Sequence, residues 1–411
     1  MDGSDNWLLP LDLSVDDPRG ARKDSLDPIT VRVGGREFVT SPVFDTYWRF
    51  ASRRQSLYEA RLNGCRPPWS TDPVLSAHRF TNCYRAADRV SQYLISQVAY
   101  RGSQDPAELV LRILLFKLFN KIQTWELLAQ SAGFPTLDTF NVAHYSAILD
   151  EVFGRGVRLY SAAYVMPAPP MGAVRKHTNH LRLLEHMMDD GIAERLVNAQ
   201  SMQEAFTIIK SYPGMGDFLA YQYTIDVNYS TAMQFDEMDF VVAGPGARDG
   251  IRKCFGPGSA GCERALIEYM AASQDEHFTR LGLPFHGLFG RPLQLIDCQN
   301  LFCEVDKYAR VMHPEIQGYS GRARIKQKYR PTCAGMVPTQ VGTQRRGGRR
   351  QLSCLASEHP PRIVRCCGRT VAVLAWCAAE VSWRAARYDL ATTPNRIPHF
   401  PVLDVRRSEG S

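Results

Sequence analysis

The stretch SYPGMGDFLAYQYTIDVNYSTAMQFDEMDF, residues 211–240, joins a glycine-rich turn to a helical pattern and a cluster of acids. Gly214 and Gly216 stand one residue apart, so the turn can adopt positive φ and leave its backbone N–H groups uncovered. A helix is expected to begin near Asp217, and a helix N-terminus carries a partial positive charge. The stretch therefore predicts a turn that binds a phosphate oxygen without a basic side chain.

Helical periodicity continues on both sides of this turn. Ser201 and Glu204 have capping-box spacing, which predicts a helix through Phe206 and Ile209 that stops at Pro213. Apolar residues recur at helical spacings over 43–62, 78–100, 108–130, 137–154, 174–198, 263–273 and 293–312. The strand candidate is ITVRVGGREFV, residues 29–39. These patterns predict a mainly α fold.

Composition divides the chain into three segments. Residues 1–39 are expected to form a loose leader, and residues 40–331, which hold the helical patterns, one helical domain. Residues 332–411 are rich in Arg, and we expect them to be disordered or an artefact of gene-model translation. The net charge of +7 arises there, because residues 331–411 hold 12 Arg, no Lys and 5 acids. Overall basicity is therefore no argument for a nucleic-acid partner.

The composition and motifs of the sequence also argue against several classes of protein. The longest apolar run, 371–379, is too short for a membrane span, and the acidic start predicts no signal peptide. The cysteines are scattered without paired CxxC motifs, which argues against structural zinc and iron–sulfur clusters and suits a nuclear or cytoplasmic protein. No HExxH motif occurs. We expect no metal and no cofactor.

The glycine turn resembles the hairpin of the helix-hairpin-helix family. The matching residues are Ile209, Tyr212, Pro213, Gly214, Met215, Gly216 and Ala220. In helix-hairpin-helix DNA glycosylases a catalytic aspartate follows the second glycine at the distance at which Asp236 stands here. The resemblance implies a glycosylase-like helical domain with Asp236 as catalytic residue, assisted by Glu237 or Asp239. The alternative is an ordinary helix-helix turn with Asp236 as a cap.

A wider set of motifs resembles the helical domain associated with 5-hydroxymethyl-deoxyuridine DNA kinases, which is related to alpha-glutamyl/putrescinyl thymine pyrophosphorylases. The motifs are FDTYWRFASRRQ, FTNCYRAADRVSQYLI, LLFKLFNKIQTWELL, YPGMGDFLAYQYTIDVNYS, FVVAGPGARDGIRKCF, LQLIDCQNLFCEVDKYAR and GRARIKQKYRP. They cover about 43–331. The chain contains no Gly-Lys dipeptide, so a GxxxxGK[ST] phosphate loop is not expected within it.

Three further groups are candidates for DNA contact, each with a structural alternative. Gly244 and Gly246, with Arg248, would hold a second phosphate or form a simple turn. Helical spacing places Asp297, Asn300 and Glu304 on one stripe, either as base-reading groups or as a satisfied structural network. Alternate positions of an exit segment carry basic residues, either as phosphate contacts or as a solvated strand: Arg322, Arg324, Lys326 and Lys328.

These observations favour a DNA-binding helical protein that acts on or recognises a hypermodified or 5-hydroxymethyl-type pyrimidine. Two alternatives stay open: a non-catalytic reader or recruitment module, and a glycosylase that excises a modified base. A catalytic role would be glycosylase-like or pyrophosphorylase-like. The expected partners are DNA and a separate kinase or other DNA-modifying chain, and no membrane.

Overall fold

Capping residues and prolines set the start of several helices. Ser41 precedes Pro42 and accepts the Val43 N–H through its hydroxyl, and Asp105 caps the helix that begins at Pro106 in the same way. Proline suits the first helical position because its missing N–H would have no partner there. The computed structural model describes residues 27–164 and 166–329, and the backbone of four strands between 341 and 373.

Fourteen helices make up most of this described part of the chain. They are α1 Pro42–Leu62, α2 Pro73–Ala77, α3 Arg89–Tyr93, α4 Pro106–Phe119, α5 Ile122–Ala132, α6 Val142–Gly154, α7 Lys176–Asp189, α8 Ile192–Val197, α9 Met202–Lys210, α10 Asp217–Asn228, α11 Pro245–Phe255, α12 Glu263–Ala272, α13 Gln274–Arg280 and α14 Leu295–Met312. A π-helical turn, Leu94–Ala99, extends α3, and short 3₁₀ turns occupy Arg85–Ala87 and Pro257–Ser259. The predicted mainly α class is confirmed, whereas the helix-hairpin-helix, glycosylase-like fold stays a prediction.

An antiparallel hairpin precedes the helices. Its strands are β1 Thr30–Val33 and β2 Arg36–Val39, with Val33 opposite Arg36. The hairpin lies within the segment predicted as a leader, and its inward side chains join the core, where the Phe38 ring meets the edge of Phe255 at 6.1 Å. Residues 1–26 of that predicted leader lie outside the described residues.

Four more strands follow the helices. β3 Val341–Arg346 pairs antiparallel with β4 Arg349–Cys354, and β5 Arg362–Cys366 pairs antiparallel with β6 Arg369–Val373. The chain divides into two units, residues 1–358 and 359–411, so the second pair belongs to a unit of its own. Apart from these strand backbones, the predicted Arg-rich tail lies outside the described residues.

The core of the first unit is built around α4, which is buried on all faces from Leu109 to Phe119 and touches α5, α7, α8 and α10. On the other side, α11 lies directly against α14. Glycine permits that approach, because a Cβ at Gly250 would stand 2.1 Å from the Phe302 carbonyl oxygen. The two helices are therefore held closer than larger side chains would permit.

Three predicted helices are interrupted. In the segment 78–100 the α-helix begins only at Arg89, because the N–H groups of Thr81 and Arg85 donate to carboxylates of α14 instead of to the preceding turn. The segment 108–130 breaks at Asn120, which has φ 47°, and 174–198 breaks at Gly191, which has φ 68°. Left-handed residues of this kind end a helix.

Candidate nucleic-acid interface

The turn between α9 and α10 combines a buried anchor with an exposed tip. Tyr212 and Met215 are buried, whereas Gly214 and Gly216 are exposed. The Tyr212 hydroxyl donates to Asp190 over 2.6 Å and accepts from Arg195 over 3.0 Å, which fixes the base of the turn. Gly214 has φ 81°, a conformation that favours glycine. The predicted turn therefore presents its main chain to solvent.

The first turn of α10 has N–H groups available to a ligand. Gly216 is the N-cap, and no side chain among the described residues caps this helix start. The first N–H groups of any helix lack intrahelical acceptors. Asp217 forms an ion pair with Lys210 over 2.6 Å, and both side chains are about half exposed. The pair partly offsets the negative charge that Asp217 brings to this anion-binding position.

The second glycine turn meets the first at Phe218. Gly244 is the N-cap of α11, and a Cβ there would stand 2.6 Å from the Phe218 ring. A Cβ at Gly246 would stand 2.9 Å from Cys303 Sγ. Close packing accounts for both glycines and favours the simple-turn alternative, so a phosphate at Gly244 and Gly246 stays a prediction. The structure nevertheless brings the starts of α10 and α11 together.

Two of the predicted basic residues lie on or against α11. Arg248 is exposed on that helix, and Arg322 forms an ion pair with the adjacent Asp249 over 3.0 Å. The remaining three, Arg324, Lys326 and Lys328, are exposed further along the exit segment. That segment is held by a hydrogen bond from Arg310 to the Arg324 carbonyl oxygen and by a β-bridge between His78 and Lys328. Their contact with phosphates stays a prediction.

The predicted catalytic acids lie away from the hairpin. Phe235, next to Asp236, exchanges two hydrogen bonds with Asn228 at the C-terminal end of α10. The hairpin lies at the other end of this helix, which has 12 residues and is therefore about 18 Å long. The Asp236 carboxylate accepts the Met238 N–H over 3.0 Å, as a turn cap does.

The neighbouring acids also have structural contacts. Glu237 is buried and paired with Arg291, and Asp239 is exposed with its carbonyl oxygen accepting from Arg264 over 3.4 Å. None of these contacts reaches the hairpin. Catalysis by Asp236, Glu237 and Asp239 stays a prediction that the geometry does not strengthen.

The polar stripe of α14 organises the chain before α3. Asp297 accepts the Arg85 N–H over 2.8 Å, and Glu304 accepts the Thr81 N–H over 2.9 Å and pairs with Lys307 over 2.7 Å. Asn300 is buried on the same helix. These contacts are those of a structural network, and base reading by the stripe stays a prediction.

A buried charge cluster beside Tyr164 was missed by the sequence analysis. Asp226 of α10 binds Arg85 Nη2 over 2.5 Å and Lys117 Nζ over 2.6 Å, and all three side chains are almost fully buried. The ring of Tyr164 lies over both cations, 4.2 Å from Lys117 Nζ, and stacks on Phe218 at 5.8 Å. Polar residues at four-residue spacing on an otherwise apolar helix were the available signal.

Burial and pairing shift the pKa values in this cluster in opposite directions. Burial lowers the pKa of Lys117 to about 8, although Asp226 opposes the shift. Burial works most strongly against the charge of Arg85, but Asp226 together with Tyr164, Tyr229 and Asp88 outweighs it, so the pKa of that guanidinium is raised. Burial raises the pKa of Tyr164 to about 12, so its hydroxyl stays protonated at neutral pH. The cluster carries one net positive charge.

Two negative findings apply to the described residues. None of their helices combines the length and apolar character needed to cross a membrane. Within the same part of the chain, no three or more His, Cys, Asp and Glu side chains are arranged to hold a metal ion.

Comparison with known proteins shows which family the helical body belongs to. Residues 41–318 match the family model described as the helical domain of 5-hmdU DNA kinase. The chain belongs to this family. It is also similar to the 5-hmdU DNA kinase of Bacillus phage SP10, with 26% identity over 287 residues, which is 65% of this chain and 45% of that protein. The chain thus matches less than half of the length of this relative. No solved structure matches.

Proposed function

We propose that the helical body binds DNA and recognises or acts on a pyrimidine with a 5-hydroxymethyl-type group. Membership in the 5-hmdU DNA kinase helical-domain family supports this substrate class, as does the named activity of the phage relative. Since the match spans only 45% of that relative, the proposal for these residues is limited to DNA contact and base recognition, with a kinase as a proposed partner. This chain would supply the DNA contact.

The exposed tip of the α9–α10 turn is the observation that carries the DNA contact. Gly214 and Gly216 are exposed, and the start of α10 has no side-chain cap among the described residues. N–H groups and the helix dipole together favour a phosphate oxygen at this position. Contacts to phosphate fix the register of a protein on a duplex, so such a turn positions the neighbouring nucleotide.

Substitutions at Gly216 test this contact with little disturbance of the fold. A Cβ at this position meets no atom within 4 Å, and the residue has φ −73°, so Gly216→Ala and Gly216→Glu are both accommodated. We expect Gly216→Ala to bind a duplex containing 5-hydroxymethyluracil like wild type. Gly216→Glu places a negative charge beside the phosphate, and we expect about tenfold weaker binding. The measurement is fluorescence anisotropy at one fixed salt concentration.

Asp217→Asn provides the converse variant, because it removes a negative charge and releases Lys210. We expect about two- to fivefold tighter binding. Equal affinity of wild type, Gly216→Glu and Asp217→Asn would refute the hairpin contact. Equal affinity for thymine and 5-hydroxymethyluracil duplexes would refute the substrate class. Alkali-labile strand breaks would identify a glycosylase, and retention without any product would identify a reader.

A further inference from the structure

The face of α10 beneath Tyr164 carries a set of polar groups that the proposed DNA contact does not use. We infer that this face, from Phe218 through Gln222 to Asp226, is a binding site for an unstacked pyrimidine base, with Tyr164 as its cover. The inference rests on the proposed function, because the DNA contact would deliver the base. It adds the place at which the base is read.

Unpartnered atoms inside the protein point to a ligand. Gln222 is fully buried, and its Oε1 atom has no hydrogen-bond partner among the described residues. Arg85 and Tyr229 are also buried, with 3% and 2% of their surface exposed. The Arg85 Nε atom and the Tyr229 hydroxyl likewise have no hydrogen-bond partner among the described residues. Buried polar groups of this kind are uncommon in folded proteins. Gln222 lies on α10 and Tyr229 directly after its last residue, and Asp226, which binds Arg85, lies between them in the chain.

The hydrogen-bonding groups suit the edge of a pyrimidine. Gln222 Nε2 lies 3.5 Å from Gln299 Oε1, and Gln299 Nε2 lies 3.5 Å from Cys303 Sγ, so within the described part of the chain both amides have only long hydrogen-bond contacts. Each amide offers one donor group and one acceptor. A uracil ring alternates carbonyl oxygens with an N–H, which two such amides can match. Lys117, Arg85 and Asp226 together carry one net positive charge, which suits the hydroxyl oxygen of a 5-hydroxymethyl group.

Aromatic rings cover the site. Tyr164 and Phe218 stack at 5.8 Å with 20° between their planes, and Tyr164 is half-buried. Tyr164 has φ 55°, which is unusual for a residue other than glycine, and such conformations cluster at functional sites. Aromatic rings stack on extruded bases in enzymes that act on nucleobases. Movement of Tyr164 would expose the face of Phe218 and the polar groups behind it.

The site is adjacent to the proposed phosphate contact. Phe218 lies two residues beyond Gly216, and Gly214 approaches Met166 and Pro169 from the same loop that carries Tyr164. A Cβ at Gly214 would lie 3.3 Å from Met166 Cε. A nucleotide whose phosphate lies at the tip of the turn would therefore have its base next to Tyr164.

Gln222→Leu tests the site without loss of the fold. Leucine has a similar volume and removes an amide whose oxygen has no partner among the described residues and whose nitrogen makes only a 3.5 Å contact with Gln299, so the melting temperature should change little. We expect this variant to lose about tenfold or more in affinity for the free nucleoside 5-hydroxymethyl-2′-deoxyuridine, measured by isothermal titration calorimetry. Gln203→Leu makes the same change at an exposed position of α9 and should bind like wild type.

A duplex with 2-aminopurine beside 5-hydroxymethyluracil reports unstacking, because fluorescence rises when the neighbouring base leaves the helix. We expect wild type to raise the fluorescence and Tyr164→Ala to abolish the rise. Duplex binding that is sensitive to Gly216→Glu, without a fluorescence rise or an effect of Gln222→Leu, would overturn this inference and leave the proposed function intact. Nucleoside binding that is lost in Gln222→Leu, in a protein that does not bind duplex, would support the site and overturn the DNA contact. Absence of both kinds of binding would overturn both.

Discussion

Asp226 shows how one residue joins distant parts of the chain. Its two oxygens bind Arg85, which precedes α3, and Lys117, which belongs to α4. Each charge was removed from water on folding, a cost that only mutual pairing offsets. The three side chains therefore depend on one another, and loss of the single anion leaves two buried cations facing each other.

Asp226→Asn should consequently lower the free energy of unfolding by about 3–5 kcal/mol, measured by urea denaturation at pH 7. Glu151→Gln is the matched control, because it breaks an exposed pair between α6 and Arg155, the residue that follows it. Exposed pairs of this kind contribute about 0–1 kcal/mol. A loss below about 1 kcal/mol in Asp226→Asn would show that the cluster is not buried as described.

His180 is a neutral side chain that anchors the loop carrying Tyr164. One ring nitrogen lies 2.8 Å from the Tyr160 hydroxyl and the other 3.0 Å from the Pro167 carbonyl oxygen. The carbonyl accepts a hydrogen bond from Nε2–H, so Nδ1 is the acceptor for Tyr160. Burial lowers the pKa of His180 to about 4.

Acidification should therefore destabilise the protein through His180. Between pH 6.5 and about 4 the unfolded chain gains a proton at this residue and the native protein does not, so stability falls as the pH falls. The contribution reaches at most about 3 kcal/mol. Comparison of wild type with His180→Gln in urea at pH 7 and pH 4.5 measures it: the difference in stability between the two proteins should shrink at the lower pH. A constant difference would show that burial does not lower the pKa of His180 in the native protein.

At the residue scale, the sequence was informative where chemistry is local. The conformational freedom of Gly214 and the exposure of the turn follow from the residues themselves. The Asp226 cluster was not predictable, because its members come from α10, α4 and the segment before α3, and a single sequence does not show which segments meet. The prediction at 236–239 relied on resemblance, and the structure places those acids in local turns and a pair with Arg291.

At the scale of elements, glycine determines how closely α11 and α14 approach. Gly250 faces the Phe302 carbonyl oxygen, and backbone cannot move aside as a flexible side chain can. The pair supports the start of α11 beside Phe218. The distance between these helices therefore influences the candidate site as well as the core.

Gly250→Ala should cost about 3 kcal/mol in unfolding free energy, because its Cβ overlaps backbone and forces the helices apart. Gly154→Ala is the control: this helical glycine at the end of α6 has nothing within 4 Å of the added Cβ. We expect that variant to be neutral or more stable by up to about 1 kcal/mol. Thermal denaturation of both variants provides the measurement, and equal effects would contradict the close packing.

Element boundaries show where helical periodicity fails as a guide. The helices with strong local starts, such as α1 with Ser41 and α9 with Ser201, lie where they were predicted. Residues 78–88 have a helical pattern, but carboxylates of α14 capture the N–H groups of Thr81 and Arg85. Such competition comes from residues more than 200 positions away and is absent from any local pattern.

At the scale of the whole molecule, the family match and the folded body do not begin at the same residue. The match starts at residue 41, whereas the β1–β2 hairpin lies before it. Val31, Val33 and Phe38 are buried in the core, and Arg36 donates to the Gly258 carbonyl oxygen over 2.8 Å. These contacts connect the hairpin to the end of α11 and the turn that follows it.

Truncation distinguishes the hairpin from the segments on either side of it. A chain starting at residue 40 should be less stable than one starting at residue 27 by about 1–3 kcal/mol. Burial of each large apolar side chain contributes about 1.5–3 kcal/mol, and the entropy of ordering the hairpin offsets part of the total. Both fragments should end at residue 331 and be compared by urea denaturation with the full chain. Equal stability of the two fragments would mean that removing the hairpin and exposing Phe255 costs no stability. The helical body would then begin at the family boundary.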